Sequence, residues 1–78
     1  MADWSLSDLP SVSGSETVKA LQKAGWQLAR SKGSHVIMTQ EGKLANVCVP
    51  QHHELKKPTL KSILQSAELT AVEFKELL

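Results

Sequence analysis

The sequence predicts an α+β domain of order α-β-β-β-α. A three-stranded antiparallel sheet has its helices on one face, and a short extra C-terminal helix closes the chain. Three observations predict it. A capping box near residue 13 opens a run of apolar residues at helical spacing. Three short apolar or alternating runs follow, separated by two glycine-bearing turns. A second helical stripe then begins beside Pro58. A three-stranded sheet has two faces, and a chain of 78 residues supplies helices for one of them. The other face is expected to be open to solvent or to a partner.

Residues 1–12 contain Pro10 and show no period, so they are expected to form an extended N-terminal arm. Trp4, Leu6 and Leu9 are its docking residues, on the domain or on something else. Residues 13–78 are expected to form the single domain. Ser13-Gly14-Ser15-Glu16 is the capping box of a first helix that runs to about Ala24. Thr17, Val18, Leu21 and Ala24 form its apolar stripe, and Gly25 suits a left-handed C-cap. Trp26 to Arg30 alternates as a first strand, and Ser31-Lys32-Gly33 is the expected turn. Ser34 to Gln40 is the second strand, with Val36 and Met38 on one face and His35, Ile37 and Thr39 on the other. Glu41-Gly42 turns the chain into a third strand, Leu44 to Val49, which Pro50 ends.

A polar loop, residues 51–57, leads to the second helix. Leu60, Ile63, Leu64 and Ala67 form its core stripe. Thr70-x-x-Glu73 is another capping box, opening the terminal helix with Val72, Phe74, Leu77 and Leu78 as its apolar residues. Trp26, Leu28 and Phe74 are expected in the core.

Composition bounds the function. With 41% hydrophobic and 22% charged residues the chain reads as a folded soluble domain. No apolar run approaches the roughly 20 residues that span a bilayer, and no signal-type leader opens the chain, so no membrane partner and a cytoplasmic location are expected. The single Cys48 excludes an internal disulfide framework and a four-cysteine zinc site. Net charge is +1, but its distribution is uneven. Residues 19–65 hold eight bases and two acids, whereas both flanks are net acidic. A basic middle of this kind attracts polyanions, or serves as an ordinary solvated face.

His35 is the most suggestive position. It opens the second strand directly after Gly33 and Ser34, with Arg30 and Lys32 just before. Glycine permits close backbone approach, serine supplies a hydroxyl and two cations can hold a phosphate. Histidine is the side chain that ordinarily titrates near neutral pH. The set can bind an RNA phosphate and move a proton. Lys19 and Lys23, and likewise Lys57 and Lys61, stand four residues apart on helices. Like charges at that spacing repel, and a polyanion relieves the repulsion. Cys48, His52 and His53 lack an evident third or fourth metal ligand, so no metal site and no cofactor are expected. His52 and His53 are candidate second acids or phosphate contacts, or plain loop residues. Three aromatic residues are too few for a base-stacking platform, which favours recognition of the backbone.

Five segments carry a resemblance. They are Val12-Ser13-Gly14-Ser15-Glu16, Leu21-x-x-Ala24-Gly25-Trp26, Lys32-Gly33-Ser34-His35, Val47-x-Val49-Pro50 and Glu54-Leu55-Lys56-x-x-Thr59-Leu60-x-x-Ile63-Leu64. In this order and spacing, from about Leu9 to Leu78, the chain resembles the HicA toxins, also called YcfA-like proteins. The resemblance implies a double-stranded-RNA-binding-domain-like fold. It further implies the toxin half of a type II toxin–antitoxin system, an endoribonuclease (mRNA interferase) that cleaves mRNA and stops translation. The histidine of the Gly-Ser-His motif, here His35, is then the catalytic residue. The implied partners are the mRNA substrate and a HicB-like antitoxin that masks this region in a hetero-oligomer. Pro58 and Glu68 stand where the family usually has glycines.

The expected mechanism is free of metal, with His35 as general acid or base. Arg30, Lys32, Gly33 and Ser34 would bind the reacting phosphate, and Lys19, Lys23, Lys57 and Lys61 would hold the RNA backbone. The competing readings are a non-catalytic RNA-binding module of the same fold and a pure interaction protein.

Overall fold

The computed structural model describes residues 4–78. Residues 1–3 of the expected arm, and the acidic Asp3 with them, lie outside the described residues. A 3-10 turn, Leu6–Asp8, precedes helix α1 (Gly14–Lys23). Strands β1 (Gln27–Lys32), β2 (His35–Thr39) and β3 (Val47–Pro50) follow, then helices α2 (Lys57–Ser66) and α3 (Ala71–Leu77). The strands form an antiparallel meander of order β1-β2-β3. This is the α+β, double-stranded-RNA-binding-domain-like architecture.

Helix α1 starts as its residues dictate. The Glu16 amide donates to Ser13 Oγ at 3.0 Å, and the Ser13 amide donates to Glu16 Oε1 at 2.9 Å, so two orphan donors are satisfied. Its buried face is Thr17, Val18, Ala20 and Leu21, with Ala20 joining the expected stripe. Thr17 is fully buried, and its hydroxyl donates to the Ser13 carbonyl at 2.9 Å. The helix ends in a Schellman motif: the Gly25 amide donates to Gln22 O and the Trp26 amide to Leu21 O. Gly25 holds φ 98° there, and Trp26 enters the core.

The first hairpin differs from expectation by two residues. Strand β1 runs on to Lys32, and the turn is Gly33-Ser34 instead of Ser31-Lys32-Gly33. Two-residue hairpin loops match the twist of their strands when the first loop residue has positive φ, and Gly33 has φ 60°. Lys32 thereby leaves the turn and pairs with His35. A register shift between Leu28 and Arg30 leaves Ala29 as the extra residue of a β-bulge. Leu28 is not core: it lies on an edge strand and is 48% exposed.

Val36 and Met38 are buried from β2, as the alternation predicts, and Val47 and Val49 from β3. Strand β3 begins three residues later than predicted. Leu44 is fully exposed, so the connection from Gln40 to Asn46 is a loop and not a tight turn. Pro50 remains in β3, paired with His35, because an edge strand needs no outward amide.

The helices bury the same face of the sheet. Helix α1 touches β1 and β3, α2 touches β3, and α3 packs on α1. Leu21, Met38, Val47, Val49, Leu60, Leu64 and Phe74 form the centre of one core. The described part of the arm joins it: Leu9 and Val12 are buried, and Trp4 packs against it from the side. In α3 the capping box at Thr70 and Glu73 forms as expected, but only Ala71 and Phe74 are buried. Val72, at 65% exposure, and Leu78 face outward, which corrects the expected apolar set. No described helix is long and apolar enough to cross a membrane.

Helix α2 carries both departures from the family's glycines. Pro58 lies in its first turn, where an absent amide costs nothing. Glu68 follows Ala67 at φ 61°, completing a second Schellman motif with Glu68 N–H to Gln65 O and Leu69 N–H to Leu64 O. A non-glycine residue in this conformation costs roughly 1–2 kcal/mol. The exposed Lys43–Glu68 pair at 2.8 Å returns no more than about 1 kcal/mol.

Glu68→Gly is expected to be at least as stable as the parent, by up to about 1 kcal/mol, although it removes that ion pair. Glu68→Val is expected to be less stable than the parent, because a β-branched side chain is worse still at positive φ and the ion pair is lost, and urea unfolding of the two variants checks the sign. A Cβ at Gly14 would collide with the Pro50 carbonyl and lie 2.9 Å from Gln51 Cα. Gly14→Ala is expected to destabilise by about 1–3 kcal/mol or more. An unchanged urea midpoint would refute that contact.

Candidate functional site

Three chain segments meet at one end of the sheet. The Gln51 amide donates to Ser34 O at 2.6 Å, which ties the exit of β3 to the β1–β2 turn. The Gly14 amide donates to His52 O at 2.9 Å, which ties the start of α1 to the same exit. The Leu55 amide donates to Val12 O at 2.8 Å, which brings the entry of α2 alongside. Because Gly14 has no side chain, the first turn of α1 rests directly on Pro50 and Gln51. The Gly33–His35 turn is therefore held by backbone bonds to a buried framework and not by its own side chains.

His35 is the first residue of β2 and is exposed. Lys32 stands directly opposite on β1 and Pro50 on β3. Directly opposite residues have Cβ atoms about 4.5–5.5 Å apart. Arg30 is opposite Ile37, one same-face step along from His35. Strand parity thus puts Arg30, Lys32 and His35 on the sheet face that the helices do not bury. The three strands contain no acidic residue. Among the described residues the one ion pair is Lys43–Glu68, so neither Arg30 nor Lys32 is neutralised by a carboxylate. Gly33 and Ser34 are exposed, and nothing lies within 4 Å of where a Gly33 Cβ would be. The turn, the imidazole and the two cations are all exposed to solvent.

The remaining lysines are distributed differently. Lys57 is the first residue of α2, two residues after Leu55, whose amide is bonded to Val12 O. Helix α2 has no side-chain cap and no acid in its first turn, so Lys56 and Lys57 face the helix's own partial positive charge. Lys61, one turn on, has its ammonium 5.2 Å from the centre of the Trp4 ring, a cation–π contact. Lys19 and Lys23 lie apart from the others. They line a shallow groove of about 140 Å³ between α1 and α3, with Ala20, Leu77 and Leu78, on the helix side of the sheet.

Cys48 is exposed and opposite Ile37 on the open face. Among the described residues no three His, Cys, Asp or Glu side chains are gathered as a metal site. Sequence reasoning missed the supporting roles of Gly14, Pro50 and Gln51. A glycine inside a capping box and a proline at a strand end were the visible signals, but their contact is between segments 36 residues apart.

The fold agrees with comparison to known proteins. No curated protein sequence matches the chain closely. The family model described as the HicA toxin of bacterial toxin–antitoxin matches residues 14–69. A solved toxin–antitoxin complex from Streptococcus pneumoniae contains a chain 36% identical to this one. The match covers 74% of this chain and 98% of that one, with a TM-score of 0.66. On the family match, which spans most of its length, the chain belongs to the HicA toxin family.

Proposed function

We propose that this toxin is an endoribonuclease that cleaves mRNA and so stops translation, with His35 as its general acid–base group. The observation that carries the proposal is the exposed His35 imidazole directly across the hairpin from Lys32, beside Arg30, on strands free of carboxylates. A cationic surface around a proton-transfer group is what RNA strand cleavage needs. The RNA's own 2′-hydroxyl is the nucleophile. It attacks the adjacent phosphorus, and the bond to the 5′-oxygen breaks. His35 takes the 2′ proton or supplies the one that the leaving oxygen requires. Lys32 and Arg30 offset the charge that builds on the phosphorane, Arg30 through a planar fork that matches phosphate oxygens. The exposed Gly33-Ser34 turn lets the RNA backbone approach. Lys57 extends the cationic surface along the strand, positioning RNA without reading its bases.

The relative from Streptococcus pneumoniae was solved as a toxin–antitoxin complex. It supports a HicB-like antitoxin as the partner of this chain. Covering the open face around His35 would silence the toxin by denying RNA its phosphate contacts.

His35→Ala is expected to lower RNA cleavage by about 10²–10⁴-fold and to relieve growth arrest on induction, with an unchanged unfolding curve. A fully active His35→Ala protein would overturn the assignment. Removing Lys32 or Arg30 is expected to weaken RNA binding and to reduce the salt dependence by about one unit per cation. Cleavage is expected to persist in chelator. Activity that vanishes in chelator and returns with magnesium would contradict the proposed chemistry.

A further inference from the structure

We infer that His52 is the second proton-transfer group of this site. The inference rests on the endoribonuclease reading above. Attack by the 2′-hydroxyl requires two proton transfers. Oxygen 2′ loses a proton as its bond to phosphorus forms. Oxygen 5′ gains one as its bond to phosphorus breaks. The products are a 2′,3′-cyclic phosphate and a 5′-hydroxyl. An imidazole in one protonation state performs one of these transfers. The chain has three histidines, so His52 and His53 are the remaining imidazoles.

The backbone distinguishes them. Gln51 N–H to Ser34 O continues the β2–β3 ladder one residue past Pro50, so the chain is still extended there. Alternation then carries through: Val47 and Val49 are buried, and Gln51 follows them toward α1, where it meets Gly14. Cys48 and Pro50 take the opposite side, the side of His35, and the same alternation, carried past Gln51, assigns His52 to that side. His35 is paired with Pro50, which makes His52 its diagonal neighbour. Such neighbours have Cβ atoms no more than about 7–8 Å apart, a gap that one phosphodiester between two imidazoles can fill. His52 is exposed, and its carbonyl is held by Gly14 N–H at 2.9 Å. The side chain therefore projects from an anchored backbone. His53 begins a bend, after the ladder has ended. The same parity explains why Cys48, the other diagonal neighbour of His35, shares the face without offering the chemistry of an imidazole.

The test compares two substrates across His35→Ala, His52→Ala and His53→Ala. One is a short RNA oligonucleotide. The other is uridine 3′-(4-nitrophenyl phosphate), whose leaving group departs without a proton and so needs no general acid. On RNA, His35→Ala and His52→Ala are both expected to fall by at least about 100-fold, and His53→Ala to stay within a few-fold of the parent. On the nitrophenyl ester, one of the first two is expected to recover and the other is not, since an acid becomes dispensable and a base does not. A merely structural role cannot produce that recovery. A substitution at His52 keeps the carbonyl that Gly14 binds, and His52→Asn with urea unfolding separates chemistry from folding. Normal RNA cleavage by His52→Ala beside an inactive His35→Ala overturns this inference and leaves the His35 reading standing. Loss of both substrates in both variants, or loss in His53→Ala instead, also overturns it. An active His35→Ala protein overturns the endoribonuclease reading itself.

Discussion

The whole site depends on how closely the first turn of α1 approaches the end of β3. Gly14 lies against Pro50 and Gln51 with no room for a Cβ, and its amide is bonded to His52 O. That contact sets the exit path of β3. The exit in turn sets the Gln51–Ser34 bond, and the bond holds the Gly33–His35 turn at its base. An exposed two-residue turn has few contacts of its own and would ordinarily be among the more mobile parts of a small fold. Here its stability is borrowed from a helix whose other residues, Thr17, Val18, Ala20 and Leu21, are buried in the core.

The electrostatic design follows from the same geometry. Arg30, Lys32 and His35 are brought together by strand pairing, and among the described residues no carboxylate pairs with either cation. Mutual repulsion on a solvated face is weak, because water and salt screen it. The cost of assembling the patch is therefore small. Had the same residues been buried, desolvation would have demanded carboxylate partners and left nothing for a phosphate. An open sheet face is thus what the proposed chemistry requires, and not merely a consequence of having too few helices.

A domain this small is limited in core, and segments flanking the family match contribute to it. Leu9 and Val12 precede residues 14–69, and Ala71 and Phe74 follow them, yet all four are buried. At this size the buried fraction of the chain's surface is low, so each additional apolar residue carries weight. The helix ends show the opposite economy. Gly25 and Glu68 occupy equivalent Schellman positions, and the fold tolerates a strained Glu68 where α2 meets the chain leading to α3.

Local chemistry was legible in the residues themselves. The capping boxes at Ser13 and Thr70, the α2 stripe from Leu60 to Ala67, the burial of Val36 and Met38, the meander and the Gly-Ser-His motif all depend on neighbours within a few positions, so periodicity and composition report them. The resemblance to the toxin family rests on those same local segments. What required the tertiary structure was every relation between segments. The bulge at Ala29 and the shift of the turn to Gly33-Ser34 come from pairing with β2, and the turn decides that Lys32 faces His35. The exposure of Leu28 and Val72 depends on which helix covers which strand, and hydrophobicity alone does not encode that. The separation of Lys19 and Lys23 from the His35 face, and the approach of Gly14 to Pro50, are likewise properties of packing. The sequence by itself determined the kinds of element and the Gly-Ser-His motif that makes His35 the candidate imidazole. Only the folded chain decided which groups surround that imidazole, because side chains far apart along a polymer become neighbours through a register that no single segment contains.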